Sequence, residues 1–474
     1  IILLLPLVRG YYMFALGSYD VFAHLSWAQH ILNTGHINTH YPGAHVLLVN
    51  FHEIAGITLE TASIIVPAFF SILYVLFLCI LGRSLQRGAW ISLLPILFAL
   101  PLLYTEYHRT FHPYIYILFI IPLFFYVVVR YLKSSKTVEY GIITVILSTI
   151  IIYFHPLITL FLILSLFGFF TLDILLNIHN IQKPKRNYII QIIAILTISF
   201  CAWYLSFYEI LRSFRKVVDA LFDRMDPSET ILTSQMDLIA SSGATIQYVM
   251  KLFILNYGPI FSYLILGLIC TLFVLMGLKI KRIYINELRF SIQYLIGIAI
   301  AFVLVTGNFI LNEPVRAAGP AIMMSTIFVP IVFIRLIQKL SSEKTKIIYG
   351  ILASFLVVVV ILSLLNIFAS PLVSCPSCHM TYMEKDGLCW FLEERETNTP
   401  VLVMGYTYYH KFENYYAEQT REQISNMYSK INYQRLIPTH FGYDTNTSLG
   451  ETLNFGKYYY ISSELNRQYH LALP

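Results

Sequence analysis

Long apolar runs recur from the start of the chain to about residue 369 and then stop. A helix needs roughly 20 apolar residues to cross a bilayer. Only 12% of the residues are charged, about half the fraction usual in soluble proteins. The sequence therefore predicts an all-α polytopic membrane protein with about 11 transmembrane helices. The predicted spans lie near residues 1–16, 60–82, 89–104, 113–132, 139–154, 156–177, 188–208, 252–278, 290–311, 317–338 and 346–369.

Positively charged residues cluster in alternate loops between these spans, which by the positive-inside rule are cytoplasmic. The clusters are Arg83 and Arg87; Arg130, Lys133 and Lys136; Lys183, Lys185 and Arg186; Lys279, Lys281 and Arg282; and Lys339, Lys344 and Lys346. We therefore expect a multi-pass protein of the cell membrane with a cytoplasmic N-terminus. Residues 17–57 and everything after about residue 370 are then extracytoplasmic.

The segment 371–474 has the composition of a soluble domain. PVLVMG (400–405) and KYYYISS (457–463) are typical of short strands, and EQTREQISNMYSKI (418–431) is typical of a helix. These patterns predict a small extracytoplasmic α/β domain after a transmembrane domain of residues 1–370.

Three cysteines, Cys375, Cys378 and Cys389, follow the last span. Outside the cytoplasm we expect a disulfide of unknown pairing, or free thiols. The CPSCH sequence also leaves a zinc site or c-type haem attachment open.

The loop 17–57 contains several of the candidate functional residues. Asp20 follows the first apolar segment and begins a stretch with the pattern of an amphipathic interfacial helix, in which Trp27 is a typical membrane-interface anchor. Tyr41 and Pro42 precede a second, semi-apolar element.

This order of features resembles the opening layout of the GT-C membrane glycosyltransferases. The shared features are an acid soon after the first helix, an amphipathic juxtamembrane helix, a Tyr-Pro element and a span ending in LGRSL. The superfamily includes protein mannosyltransferases, aminoarabinose transferases and oligosaccharyltransferase catalytic subunits. The resemblance is strongest over residues 11–87 and extends by topology to about residue 370.

The resemblance implies an enzyme of cell-envelope glycosylation. It would move a sugar from a polyprenyl (dolichyl or undecaprenyl) phosphate in the membrane lipid to an extracytoplasmic protein, lipid or glycan acceptor. We expect no nucleic-acid partner.

The resemblance also suggests site residues. In oligosaccharyltransferase-like members an acidic pair in the second outer loop binds a divalent metal, and here the pair is Glu106 and His108 instead of two acids. Asp20, Glu106 and His108 are therefore candidate catalytic residues and candidate ligands of Mg²⁺ or Mn²⁺. With Asp20 as the only base and direct displacement, the anomeric centre inverts.

Further candidates would contact the substrate. Arg316 stands at a membrane edge among small residues, where a planar guanidinium suits a lipid phosphate. His155, His24 and Tyr41 are candidate substrate-binding residues on the same predicted outer side.

Two other classes of function remain open on the sequence alone. One is a non-catalytic subunit of a membrane assembly, with or without a haem. The other is a lipid or solute transporter, which is less favoured because few ionisable residues fall within the spans.

Overall fold

The computed structural model describes most of the apolar part of the chain and parts of the C-terminal segment. The described residues are 13–15, 20–85, 93–104, 111–133, 137–178, 186–208, 210–212, 215, 218, 245–279, 285–306, 314–338, 342–365, 380–395, 401–403, 409–420 and 459–461. The chain is an all-α polytopic membrane protein with a few very short strands.

The elements fall into three groups along the chain. The first group is β1 (Met13–Ala15), α1 (Val21–Thr34) and α2 (Gly43–Ala55). The apolar helices are α3 (Leu59–Leu85), α4 (Leu94–Ala99), a 3₁₀ helix (Leu100–Tyr104), α5 (Pro113–Lys133), α6 (Thr137–Ile152), α7 (Pro156–Ile178), α8 (Arg186–Tyr204), α9 (Ile246–Lys279), α10 (Ile285–Thr306), α11 (Pro314–Ile337) and α12 (Ser342–Leu365). The C-terminal group is β2 (Met380–Thr381), α13 (Tyr382–Glu394), β3 (Val401–Val403), α14 (Tyr409–Thr420) and β4 (Tyr459–Ile461).

Seven helices among the described residues are long and apolar enough to cross a membrane, namely α3, α5, α7, α9, α10, α11 and α12. The apolar parts of α4, α6 and α8 are shorter. The predicted span 89–104 is wrong as a continuous α-helix. Pro101 has no N–H to donate, and α4 gives way to the 3₁₀ helix just before it. The predicted total of about 11 crossings stays a prediction.

The end of the first predicted span also needs correction. Residues 1–12 lie outside the described part, but Met13–Ala15 form β1, which pairs antiparallel with β2. Their backbone groups bond to a segment more than 360 residues away, so a helix does not continue to residue 16.

Helices α1 and α2 occupy the two places where interfacial elements were predicted. Each ends at a glycine with positive φ, Gly35 at 70° and Gly56 at 64°. Glycine adopts this left-handed conformation without steric cost, so it stops each helix cleanly.

Helices α5 and α11 form the centre of the bundle. In the apolar stretch of each helix, 78% of the α5 residues and 83% of the α11 residues are buried inside the protein. In contrast, α9 and α12 are only 28% and 17% buried. Most side chains of these two helices therefore face away from the protein, as expected of lipid-facing spans.

Ion pairs join neighbouring helices at the ends that adjoin the predicted cytoplasmic loops. Arg289 of α10 donates to Asp173 of α7 at 2.6 Å, and Arg335 of α11 donates to Glu287 of α10 at 2.8 Å. Charges this close to the apolar spans are stable only when paired.

The C-terminal segment has both strand and helix. β3 and β4 lie at the positions predicted for strands, and they pair in parallel. Helix α14 precedes and overlaps the start of the predicted helix 418–431, which otherwise lies outside the described residues. The α/β domain as a whole stays a prediction.

The packing of α10 on α11 gives a stability prediction. A Cβ at Gly297 would lie 2.7 Å from the Ala321 nitrogen, whereas a Cβ at Gly350 in α12 would meet nothing within 4 Å. We expect Gly297→Ala to lower the free energy of unfolding by about 1–3 kcal/mol, the usual cost of overpacking.

The control Gly350→Ala should raise the free energy of unfolding by up to about 1 kcal/mol, since alanine favours helix. Denaturation of both purified variants in detergent measures the two effects. Equal shifts in the two variants would contradict the described α10–α11 contact.

Candidate active site

The first turns of α5, α7 and α11 meet at one end of the bundle. Tyr114, at the start of α5, donates its hydroxyl to the Arg316 carbonyl, and its ring lies 5.1 Å from the His155 ring. Gly319 makes this approach possible, because a Cβ there would collide with the Tyr114 hydroxyl.

The same tripeptide, Phe-His-Pro, begins α5 and α7. In each case the proline is the first helical residue, where its missing N–H costs nothing, and the histidine stands just before it. The His155 Nδ1 accepts the Leu157 N–H at 3.3 Å, as an N-cap side chain does. His112 and His155 are therefore turned into the protein, and both are buried.

The Arg316 side chain lies beside His155 and Tyr114. Its Nη2 atom is 3.4 Å from the His155 Nε2, and its guanidinium carbon is 5.7 Å from the Tyr114 ring centroid. A neutral imidazole accepts at one nitrogen only, so Arg316 competes with the Leu157 N–H for His155. The histidine is thus a weak partner for a side chain that has five N–H donors.

Helices α1 and α2 cover this end of the bundle with a layer of aromatic rings. His24 and His45, both buried, are joined by a 3.0 Å hydrogen bond between Nδ1 and Nε2. Tyr41 bridges the layer to the bundle, with its ring 6.3 Å from His24 and 5.7 Å from His155. Trp27 packs edge-on against His45 at 5.3 Å.

Backbone contacts fix the connection between α1 and α2. The Gly43 N–H donates to the Tyr153 carbonyl at 2.8 Å, and the Trp203 Nε1–H donates to the His40 carbonyl at 2.7 Å. A Cβ at Gly43 would lie 2.6 Å from the Phe154 ring. Only glycine lets this connection reach the ends of α6 and α8.

Asp20 stands at the start of α1. Its carbonyl accepts the His24 N–H at 2.9 Å, which joins it to the first turn of the helix. Its side chain makes no capping bond to that helix, although aspartate is a favoured N-cap. The Asp20 carboxylate therefore does not cap the N-terminus of α1.

The charges of Asp20 and Arg316 shift the pKa values of the same two groups, Tyr41 and His112, in opposite directions. Burial raises the pKa of Tyr41 to about 12, while the Arg316 charge lowers it and the Asp20 charge raises it. Burial, aided by Arg316 and opposed by Asp20, lowers the pKa of His112 to about 3. The acid and the cation therefore both lie close enough to Tyr41 and His112 to act on them electrostatically.

The imidazoles of His45, His112 and His155 are uncharged at neutral pH. Burial lowers the pKa of His155 well below its usual range, and the nearby Arg316 charge adds to the effect. Burial and the neighbouring His24 do the same for His45. The site thus combines one acid and one guanidinium with neutral hydrogen-bonding groups.

The structure brings five of the residues predicted for the site to this end of the bundle: Asp20, His24, Tyr41, His155 and Arg316. Glu106, His108, Cys375 and Cys378 lie outside the described residues. Cys389 is a free thiol in α13, which agrees with the free-thiol alternative for this residue. Burial raises the pKa of the Cys389 thiol.

The described residues do not form a metal site by themselves. Within the described ranges no three His, Cys, Asp or Glu side chains lie close enough to hold an ion. A site built on Asp20 would therefore need Glu106 and His108.

Sequence reasoning missed His45, His112 and Tyr114 as members of the site. The repeated Phe-His-Pro was the available signal for His112, since the same local structure turns its twin, His155, inward. Nothing in the sequence pattern of α2 distinguishes His45 from a surface histidine.

The chain was also compared with known proteins. No protein-family model and no curated protein sequence matches it. Among solved structures, the apo oligosaccharyltransferase of Archaeoglobus fulgidus aligns over 88% of this chain and 63% of its own, with a TM-score of 0.55 and 12% identity. The oligosaccharyltransferase AglB of that organism, in complex with an inhibitory peptide and a dolichol-phosphate, aligns equally far with a TM-score of 0.54 and 12% identity.

The chain shares the fold of these archaeal oligosaccharyltransferase structures over the aligned part. A third structure of the archaeal enzyme, in complex with Zn and sulfate, aligns over 88% of this chain and 61% of its own, with a TM-score of 0.55 and 12% identity. The chain thus spans about three fifths of the length of these proteins. At this identity the likeness shows the fold, and it agrees with the resemblance found in residues 11–87.

The buried histidines give a pH prediction. Between about pH 6.5 and pH 3 the unfolded chain binds a proton at His112 that the folded protein does not. Stability should therefore fall as the pH falls, by about 1.4 kcal/mol per pH unit for this one group. His112→Gln should remove that part of the slope, measured as the free energy of unfolding at pH 6 and pH 5.

The control for this measurement is His36→Gln, which changes an exposed ring and should leave the slope unchanged. A slope in His112→Gln equal to that of the wild type would show that His112 is not buried in its neutral form.

Proposed function

We propose that the chain is a membrane glycosyltransferase that moves a sugar from a polyprenyl phosphate donor to an extracytoplasmic acceptor. The observation that carries this proposal is that one acid, Asp20, and one guanidinium, Arg316, both act electrostatically on Tyr41 and His112. A base and a phosphate-binding cation are the two groups that one-step glycosyl transfer from a lipid phosphate requires.

In the proposed reaction the acceptor attacks the anomeric carbon while the bond from that carbon to the phosphate oxygen breaks. Asp20 takes the proton from the acceptor, and the polyprenyl phosphate leaves with the bonding electron pair. Arg316 stabilises the negative charge that develops on the leaving oxygen. Attack opposite the leaving group inverts the anomeric centre.

The uncharged groups around this pair would orient the sugar and the acceptor. Tyr41, with its raised pKa, keeps its hydroxyl proton and donates it. Neutral His155 adds a ring nitrogen beside Arg316, and the His24 ring lies 6.3 Å from the Tyr41 ring. Because Tyr41 and His155 carry no charge, they do not compete with Arg316 for the phosphate.

A divalent metal, Mg²⁺ or Mn²⁺, would be held by Asp20, Glu106 and His108. Such an ion would add positive charge beside the donor phosphate. A carboxylate–imidazole set can hold several divalent metals, so the donor atoms alone do not choose among them.

Other parts of the proposal draw on the related structures. Their dolichol-phosphate and acceptor peptide with an NVT sequon support a lipid-linked donor and a peptide acceptor. The charge pattern of the loops supports an extracytoplasmic site. Residues 371–474, as an α/β domain, would stand on the same side, since α14 contacts α1.

The proposed base gives the sharpest test. We expect Asp20→Asn to lower turnover at least about 100-fold, because the amide cannot take the acceptor proton. Turnover is measured with the purified chain in nanodiscs, a radiolabelled polyprenyl phosphate sugar and an acceptor peptide.

Glu53→Gln is the matched control for this change, because it neutralises an exposed carboxylate on α2. It should leave turnover unchanged. Wild-type turnover in purified Asp20→Asn would rule out Asp20 as the base.

The proposed phosphate contact predicts a different defect. Arg316→Ala should weaken binding of the lipid phosphate at least about 10-fold, and Arg316→Lys should recover only part of the loss because it lacks the bidentate fork. Binding is measured by titrating a polyprenyl phosphate into the nanodisc-embedded chain.

Arg83→Ala, an exposed change at the far end of α3, should bind the phosphate like the wild type. An unchanged affinity in Arg316→Ala would contradict the assignment.

A further inference from the structure

Helix α14 of the C-terminal segment lies along α1. Phe412 and Tyr415, each 1% exposed, enclose Phe22, whose ring is 5.3 Å from that of Phe412 and 6.4 Å from that of Tyr415. Phe22 is itself 1% exposed and comes two residues after Asp20. The rings of Phe22, Phe412 and Tyr415 therefore pack together at the turn of α1 that carries the proposed base. We call this contact the clamp.

Polar contacts fix α14 at both ends of this clamp. The Tyr415 hydroxyl donates to the Glu60 carboxylate, 2.5 Å away in the first turn of α3. At the other end of α1, Glu418 contacts His30 through its carboxylate at 3.0 Å and accepts the Asn33 amide with its carbonyl. The two helices thus run in the same direction and contact each other near both ends of α1.

An ion pair joins α14 to the residue that follows α13. Arg395, after α13, donates to Glu413 of α14 at 2.6 Å, and the two side chains are 9% and 5% exposed. A buried pair of this kind tolerates little displacement, because moving either partner leaves a charge without compensation. Helix α14 is therefore held as part of a fixed body and can act as a support for α1.

We propose that Phe412 and Tyr415 are positioning residues that set the place of Asp20 relative to Arg316. The inference rests on the proposed function and assigns the C-terminal segment a part in that reaction. Arg316 is fixed by the bundle through Tyr114, whereas Asp20 is joined to the bundle through α1. A small shift of α1 would change the distance between base and phosphate, and such misplacement is costly in rate.

Two neighbouring tyrosines provide a matched test. Tyr415→Phe removes the hydroxyl bond to Glu60, which links α14 to the transmembrane helices. Tyr416→Phe removes a hydroxyl bond to Glu393, which links α14 only to α13. Each variant loses one oxygen and one carboxylate contact.

We expect Tyr415→Phe to lower kcat about 10-fold with the donor KM changed less than about twofold, because the base is displaced while the phosphate contact is kept. Amide exchange in the α1 segment 21–28 should become faster in the same variant. Tyr416→Phe should match the wild type in both measurements. Phe412→Leu, which keeps an apolar side chain in place, should follow Tyr415→Phe.

Equal kcat and equal exchange in Tyr415→Phe and Tyr416→Phe would overturn the inference. A raised donor KM with unchanged kcat in Tyr415→Phe would also overturn it, because α14 would then act on donor binding. Amide exchange needs no turnover, so it separates the two proposals. Faster exchange in Tyr415→Phe, combined with no transfer by the wild type, would support the clamp and contradict the proposed function.

Discussion

The close approach of α5 and α11 determines how the site is built. Gly319 leaves no side chain between the two helices, and the Tyr114 hydroxyl fills that space and bonds to the first turn of α11. This contact places the Arg316 guanidinium beside His155, at the edge of the apolar bundle. A guanidinium at such an edge keeps its charge, so the bundle presents a permanent cation to whatever binds there.

The second constraint is electrostatic. Asp20 reaches the site from α1, outside the central bundle, and it acts with Arg316 on Tyr41 and His112. The nearby imidazoles of His45, His112 and His155 are buried and neutral at pH 7. One acid and one guanidinium among neutral groups suit a reaction that removes a proton and releases a phosphate.

The sequence predicted what depends on local pattern and could not predict what depends on distant contacts. The long spans follow from apolar length, and the two interfacial elements, after Asp20 and after Tyr41, follow from local pattern. The pairing of β1 with β2 joins residues near opposite ends of the chain, so no window of sequence contains it. His112 looked like a surface residue because its burial arises only where the ends of α5, α7 and α11 meet. The clamp of α14 on α1 is hidden from the sequence for the same reason.

In the proposed reaction one base and one phosphate-binding cation carry out a single displacement. The anomeric configuration of the product tests this directly, determined by NMR after the wild-type chain in nanodiscs has reacted with a donor of defined configuration. We expect a covalent sugar–acceptor product with inverted configuration. Retention of configuration would contradict the single displacement, and movement of the lipid-linked sugar across a sealed membrane without any covalent product would contradict the transferase itself.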